Sequence, residues 1–575
     1  MAYRYSVAAL LFALNNAFRF PKSRQAVFVV TSFTSVVRYP KRLFFSNAIQ
    51  PSPAFFSAMV APTTEEDPYI WLEEVESKDA LNFAQETNAK CLAALGDPLT
   101  SGTPTYQAIL DILESRDRIP HVTKYGTTPG TKDDILYNFW CDGNNPKGIW
   151  RMASLSAYQN GEAETEWTTV LDVDKLGKEE QVSWVWKGAR HLPRARDPLS
   201  DALVTRALIF LSRGGADATV VREFDMVQGV FVEKDGFCLP KEAKTRASYK
   251  SRDVLFVGSD FGPDSLTDSG YPRTVREWVR GTAIEDAPTV FEGEKTDVSI
   301  STWIDDQRHR GGSPIYEVRS RSLTFYTAKY FVRKVAYEHL LAPNDPQRLS
   351  YNGDLSEFVE VDVQIDAEID FFANLLIISL RSDWTLAEKT YIKGSLLCVD
   401  FDEFTNQGKE GSNFSVLFEP NERTALDTYS ATKNYIILSV MENVRSKLVF
   451  LHYHPTIKIF IKVGEDSEAR IRAAHVGGYD SYDNDKFWFT TSGFLQPSTL
   501  YMADATRAPQ IPAESSQGDS QLDHCITQKL RSLPPQFDSS GFEAVQRIAV
   551  SKDSSEIPYF LVYKKGTKMD GNTPT

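Results

Sequence analysis

The sequence predicts a mainly β chain built by radial repetition, a seven-bladed β-propeller preceded by a helical N-terminal segment. Three observations carry this. Apolar strand candidates begin near Ile135, Ala207, Val254, Leu323, Leu375, Tyr435 and Phe487, at intervals of 72, 47, 69, 52, 60 and 52 residues by subtraction. Each interval has room for several strands, and recurrence on this scale marks repeated sheets that leave only short, protected edges. Successive units also look alike: ANLLIISLRSD (Ala373–Asp383) and KNYIILSVMEN (Lys433–Asn443) both run from an apolar strand into a polar turn. Finally, no alternation of helix and strand patterns interrupts the run, which argues against a doubly wound sheet there.

In chain order, residues 1–64 come first. They hold seven basic residues (Arg4, Arg19, Lys22, Arg24, Arg38, Lys41, Arg42) and no Asp or Glu before Glu65. That composition favours an organellar presequence, mitochondrial or plastid. Two other readings stay open: a secretory signal with VAALLFAL (Val7–Leu14) as its apolar core, or translation from Met59, which would leave a cytoplasmic protein. The apolar run is too short to span a bilayer. Residues 65–118 are expected to be helical, with Leu81, Ala84, Asn88, Cys91 or Leu92, and Leu95 recurring at three- and four-residue steps. Such a stripe needs a covering partner. Residues 119–535 are assigned to the propeller. The remainder, 536–575, contains RIAVSKDSSEIPYFLVYKKG (Arg547–Gly566), whose last ten residues (Ile557–Gly566) are strand-like.

Several blocks, in a fixed order over residues 67–575, resemble the prolyl oligopeptidase family of serine peptidases. They are DPYIWLEEVESKDALNFAQETNAK (Asp67–Lys90), ILYNFWCDGNNPKGIWRMASL (Ile135–Leu155), VSWVWKGA (Val182–Ala189), LSRGGADATVVREFD (Leu211–Asp225), DSGYPRTVREWVRG (Asp268–Gly281), VFEGEKTDV (Val290–Val298), FWFTTSGFLQPSTLYMAD (Phe487–Asp504) and the terminal strand. The resemblance implies a propeller set over an α/β-hydrolase domain, admitting only peptides small enough to enter. It also implies that residues 65–118 pack on the hydrolase and that residues 536–575 are a stub of that domain, truncated here.

The hydrolase chemistry needs a G-x-S-x-G elbow that exposes the Ser on a strand-to-helix turn, followed by Asp and then His. The sequence has no such string. The nearest, GGSPI (Gly311–Ile315) and GDSQL (Gly518–Leu522), end in bulky residues and precede the stub, so both are read as loop punctuation. No catalytic, cofactor-binding or metal-binding residue is therefore assigned. The expected function is the access-controlling propeller part of a prolyl-oligopeptidase-like serine endopeptidase acting on short peptides, inactive as this chain. The alternative is a non-catalytic propeller that binds peptides or a protein partner.

The remaining features narrow this reading little. Aromatics at 12% and charged residues at 24% suit a globular protein. A net charge of −14 argues against nucleic acid, which needs a basic surface. The five cysteines, Cys91, Cys141, Cys238, Cys398 and Cys525, are scattered singly and are expected to be reduced and mostly buried. His452 and His454 share a face if LHYHP is a strand, as two zinc ligands could, but no third ligand follows by spacing. VDVQIDAEID (Val361–Asp370) hints at calcium, yet lacks the glycine of an EF-hand loop and reads better as an alternating half-buried strand. Arg213, Asp217, Arg222, Glu223 and Asp225 either line a tunnel or, by default, form surface and inter-strand ion pairs.

Overall fold

Alternation of side chains along a strand lets a sheet bury both faces only when consecutive residues are apolar, and the chain is built on that rule. The computed structural model describes residues 28–30, 68–74, 77–97, 99, 103–161, 163–200, 202–341, 357–465, 473–510 and 524–571. The expected presequence lies outside these residues apart from 28–30, as does Gly518–Leu522. Two compact units result, one reaching to Ser115 and one from Arg116 onward.

The first unit contains helices Lys78–Leu95 and Pro104–Glu114. Ser77 caps the first by accepting from the Ala80 amide (3.2 Å), and Thr103 caps the second by accepting from Tyr106 (3.2 Å), ahead of a proline in the first turn. Only Ala80 is buried in the first helix and nothing in the second, while Leu81, Leu92, Leu95, Ile109 and Leu113 are exposed. The apolar stripe read from the sequence is thus present and uncovered.

The second unit contains seven four-stranded antiparallel sheets: blade 1 (123–172), blade 2 (184–243), blade 3 (246–292), blade 4 (299–360), blade 5 (368–418), blade 6 (424–465) and blade 7 (473–532). Blade 2 carries an extra two-residue strand and blade 5 a small hairpin, Trp384–Leu386 with Lys389–Tyr391. A separate hairpin, Phe542–Val550 with Glu556–Lys564, follows. The second strand of a blade is its most buried. In blade 2, Leu208 and Phe210 face blade 3 while Ala207, Ile209 and Leu211 face blade 1. In blade 5, Leu376 and Ile378 pack toward blade 4 while Leu375 and Ile377 pack toward blade 6.

A separate apolar cluster fills each of the seven interfaces, including the one between blades 7 and 1, where Leu136, Leu155 and Tyr158 meet Tyr479, Leu500 and Met502. Each blade uses consecutive strands, so among the described residues no sheet contains strands from both ends of the ring. Closure therefore rests on side chains. Gly478 marks one close approach, since a Cβ there would meet the Ala431 carbonyl oxygen at 2.4 Å between blades 7 and 6.

Three sequence expectations are corrected. Leu323 starts no strand: it opens the turn between Ile315–Ser322 and Ala328–Val335, with Phe325 and Tyr326 exposed. VDVQIDAEID is strand only from Glu368; residues 361–367 form the turn between blades 4 and 5, pinned by the Val361 amide on the Tyr330 carbonyl (2.9 Å) and by Val361 and Ala367 buried between the blades. Alternation there anchors a crossover. None of the cysteines forms a disulfide among the described residues, but only Cys398 and Cys525 are buried; Cys91 is exposed on the first helix and Cys238 on an edge strand.

Candidate functional site: the channel wall and its bridged mouth

Strand order decides what faces the axis. Lys124 and Tyr125 of blade 1, His191 of blade 2, Ala431 of blade 6 and Gly478 of blade 7 all belong to first strands, and together they line one cavity of about 320 Å³. First strands of blades 2, 3 and 4 contribute Arg190, Arg246, Ala247, Ser248, Ser301, Thr302 and Trp303 to a second cavity of about 220 Å³. The first strands thus line a central channel.

With four antiparallel strands per blade, the chain enters blade 1 and leaves blade 7 on the same face. Every connection from first to second strand lies on the opposite face. There, loops from distant blades meet over the channel mouth. Arg308, held by Asp306 (2.7 and 2.9 Å), donates to the Ala195 carbonyl of blade 2 (2.9 Å). Arg310 donates to the Thr432 and Lys433 carbonyls of blade 6 (2.9 and 3.1 Å) and to Gln307 Oε1 (2.6 Å), which also accepts from the Ala373 amide of blade 5 (3.0 Å). The His309 ring lies 4.2 Å from that of Tyr482 in blade 7. Arg194 of blade 2 bonds Asp480 and Asp483 of blade 7, both at 3.0 Å. Against its burial, the bond from Arg194 holds the Asp483 carboxyl below the usual range.

Burial at this mouth shifts several groups. Asp305 is pushed up to about 7, first by burial and then by the Asp370 charge, against the hydrogen bond from Gln307 Nε2 (2.5 Å) and the charges of Arg310 and Arg196. Burial pushes His191, stacked 3.6 Å from Tyr125, down to about 3, and burial with the Arg310 charge lowers His309 to about 4. For Asp305 the folded value lies above the unfolded one near 3.8. The folded chain therefore holds a proton the unfolded chain lacks within that window, and the stability this lends is lost as pH rises through about 7. Asp305→Asn keeps a neutral group there. It is expected to raise stability by about 2–4 kcal/mol at pH near 8 and by less than half of that near pH 5, read from urea unfolding at both pH values.

The residues singled out from the sequence fall elsewhere. Arg213 pairs with Glu242 (3.7 Å) and Arg222 with Glu180 (2.7 Å), while Asp225 bonds Arg206. Asp217 accepts from the Tyr271 hydroxyl (3.5 Å). Glu223 is buried and accepts from Arg280 (2.6 and 2.9 Å) and Tyr249 (2.8 Å). Four of the five form ion pairs and Asp217 accepts a hydrogen bond, and none of the five lines either cavity. His452 and His454 lie on the third strand of blade 6, with His452 against the Tyr435 ring (4.8 Å). No group of three or more His, Cys, Asp or Glu residues able to hold a metal occurs among the described residues. GGSPI forms the loop that ends in the second strand of blade 4, at the bridged mouth. Sequence reasoning missed Arg190, Arg194, Asp305, Arg310 and Asp480; only their placement beside first-strand ends could have flagged them.

Residues 56–307 match the family described as prolyl oligopeptidase, N-terminal beta-propeller domain. An uncharacterized peptidase of Sinorhizobium fredii is 30% identical over 514 residues, 88% of this chain and 62% of that protein. An uncharacterized peptidase of Rickettsia prowazekii is 26% identical over 517 residues, 88% of this chain and 63% of its own length. The chain thus spans less than two thirds of these relatives. Among solved structures, a post-proline cleaving enzyme from Rickettsia typhi superposes with a TM-score of 0.65 at 24% identity, over 87% of this chain and 65% of that one. The matched region, the two peptidase relatives and the seven-sheet ring agree in one likeness: residues 56–307 are similar to the N-terminal β-propeller domain of prolyl oligopeptidases, and the ring has the fold of the solved structure it superposes on.

Proposed function

We propose that this chain is the access-controlling propeller part of a serine endopeptidase of the prolyl oligopeptidase type, acting on short peptides. The observation that carries the reading is the channel: its far mouth is bridged by loops of blades 2, 4, 5, 6 and 7, and its wall mixes charged side chains such as Lys124, Arg190 and Arg246 with aromatic ones such as Tyr125 and Trp303. A folded protein does not pass such a mouth, whereas an extended peptide needs little width. The uncovered helical stripe around Leu81, Leu92 and Leu95 supports a hydrolase domain as its cover.

No G-x-S-x-G string occurs in the 575 residues, so the chain supplies no nucleophile elbow of its own. Loss of a whole triad typically removes on the order of 10⁶ in turnover. The purified chain is expected to leave a blocked Gly-Pro ester uncleaved and to take up no fluorophosphonate label. Cleavage abolished by a serine-directed inhibitor would overturn the assignment of chemistry to another domain.

A further inference from the structure

We infer that the channel wall between blades 2, 3 and 4 is a binding site for a peptide carboxylate, held by Arg190 and Arg246. The inference rests on the reading that the channel takes up peptides, and adds the chemical feature it selects. Both guanidiniums lie on first strands and line the same cavity of about 220 Å³, with Ser248, Ser301 and Ser320 beside them. Both side chains are exposed to the channel.

What separates this cavity from its neighbour is charge balance. In the cavity near blades 7 and 1, the two cations are already neutralised: Lys124 bonds Asp480 (2.8 Å) and Asp134 (3.2 Å), and Arg194 bonds Asp480 and Asp483. Arg190 and Arg246 have no carboxylate within ion-pair distance among the described residues. The Arg190 guanidinium lies over the Phe210 ring at 5.8 Å and that of Arg246 over the Tyr271 ring at 5.6 Å. In a chain of net charge −14, two arginines on one cavity wall with no ion-paired carboxylate among the described residues leave that wall positively charged.

A second feature of the same wall is unsatisfied. Thr302 is 7% exposed, and its hydroxyl has no hydrogen-bond partner among the described residues. Guanidinium forks match the two oxygens of a carboxylate, and hydroxyls supply the remaining contacts. Trp303 and Phe256 give the apolar wall against which the adjoining residue of a peptide would lie. The ligand class that fits is a peptide presenting a carboxylate, at its C-terminus or on an Asp or Glu side chain.

The test is isothermal titration of the full chain with acetyl-tetraalanine as the free acid and as the carboxamide, at low salt. The free acid is expected to bind at least about tenfold more tightly, with the margin shrinking as salt is raised. Arg246→Gln and Arg190→Gln are each expected to reduce that preference to within about twofold, while Arg246→Lys retains part of it. Unfolding midpoints equal to that of the parent chain establish that the variants are folded. Equal binding of acid and amide, or a preference that survives both Gln variants, overturns the carboxylate site and leaves peptide uptake standing. If neither peptide binds, peptide uptake fails as well. An acetylated pentapeptide amide with an internal Glu, compared with its Gln counterpart, separates a side-chain carboxylate from a terminal one.

Discussion

Glu317→Ala is expected to destabilise the propeller by about 3–5 kcal/mol, as removal of one partner from a buried ion pair does. Glu317 is fully buried on the second strand of blade 4 and accepts from Arg319 (3.0 and 3.2 Å) and Arg333 (2.8 and 3.2 Å). Burial alone would raise its carboxyl, yet the charges of Arg319, Arg333 and Lys250 hold it below the usual range. Arg333 would keep Glu357 as a partner, but Arg319, with its side chain 4% exposed, would lose its carboxylate. The energy at stake is mostly the uncompensated charge. The double variant Glu317→Met with Arg319→Met is therefore expected to cost less than Glu317→Ala alone. Urea unfolding of the single and double variants reads the difference, and equal losses would contradict this account of the pair.

Lys124→Ala is expected to cost about 3–5 kcal/mol and to loosen one interface selectively. Lys124 is 5% exposed at the seam where blade 1 meets blade 7. It bonds Asp134 and Asp480, and Tyr479 donates to Asp134. Among the described residues no strand crosses this seam, so these bonds help to close the ring, together with the cluster around Leu136, Tyr158 and Leu500 and the bonds from Gln528 to the Gln159 carbonyl (3.1 Å) and from Arg531 to Thr165 (2.7 Å). Arg194 remains for Asp480, but Asp134 is left without its cation. Hydrogen exchange should rise in 123–127 and 473–478 before it rises in blades 3 and 4. Uniform acceleration around the ring would show that closure is shared among all seven interfaces.

What the sequence disclosed follows from how each element is buried. Six of the seven strand starts mark the second strands of blades 1, 2, 3, 5, 6 and 7, because burial on both faces demands runs such as ALIFL at Ala207–Leu211. Blade 4 broke the pattern for a physical reason: its second strand, IYEVRSRS, buries Glu317 and Arg319 as an ion pair, so a core strand reads as a polar one. The exposed Phe325 and Tyr326 in the following turn then drew the prediction to Leu323. The channel wall was not legible because its members come from different blades. Arg190 and Arg246 are 56 positions apart by subtraction and share a cavity only through the closed ring. The bridged mouth is more dispersed still, linking Ala195 to Arg308 and Arg310 to Thr432.

Selective uptake by size distinguishes an access-controlling channel from an ordinary binding surface. The chain would be mixed with a fluorescent octapeptide and, separately, with a compact folded protein displaying the same eight residues in a surface loop, and binding read by anisotropy. The account predicts that the free peptide binds and the folded carrier does not, since only an extended chain reaches the wall lined by the first strands. Equal binding of both, or no binding of the free peptide, would contradict it.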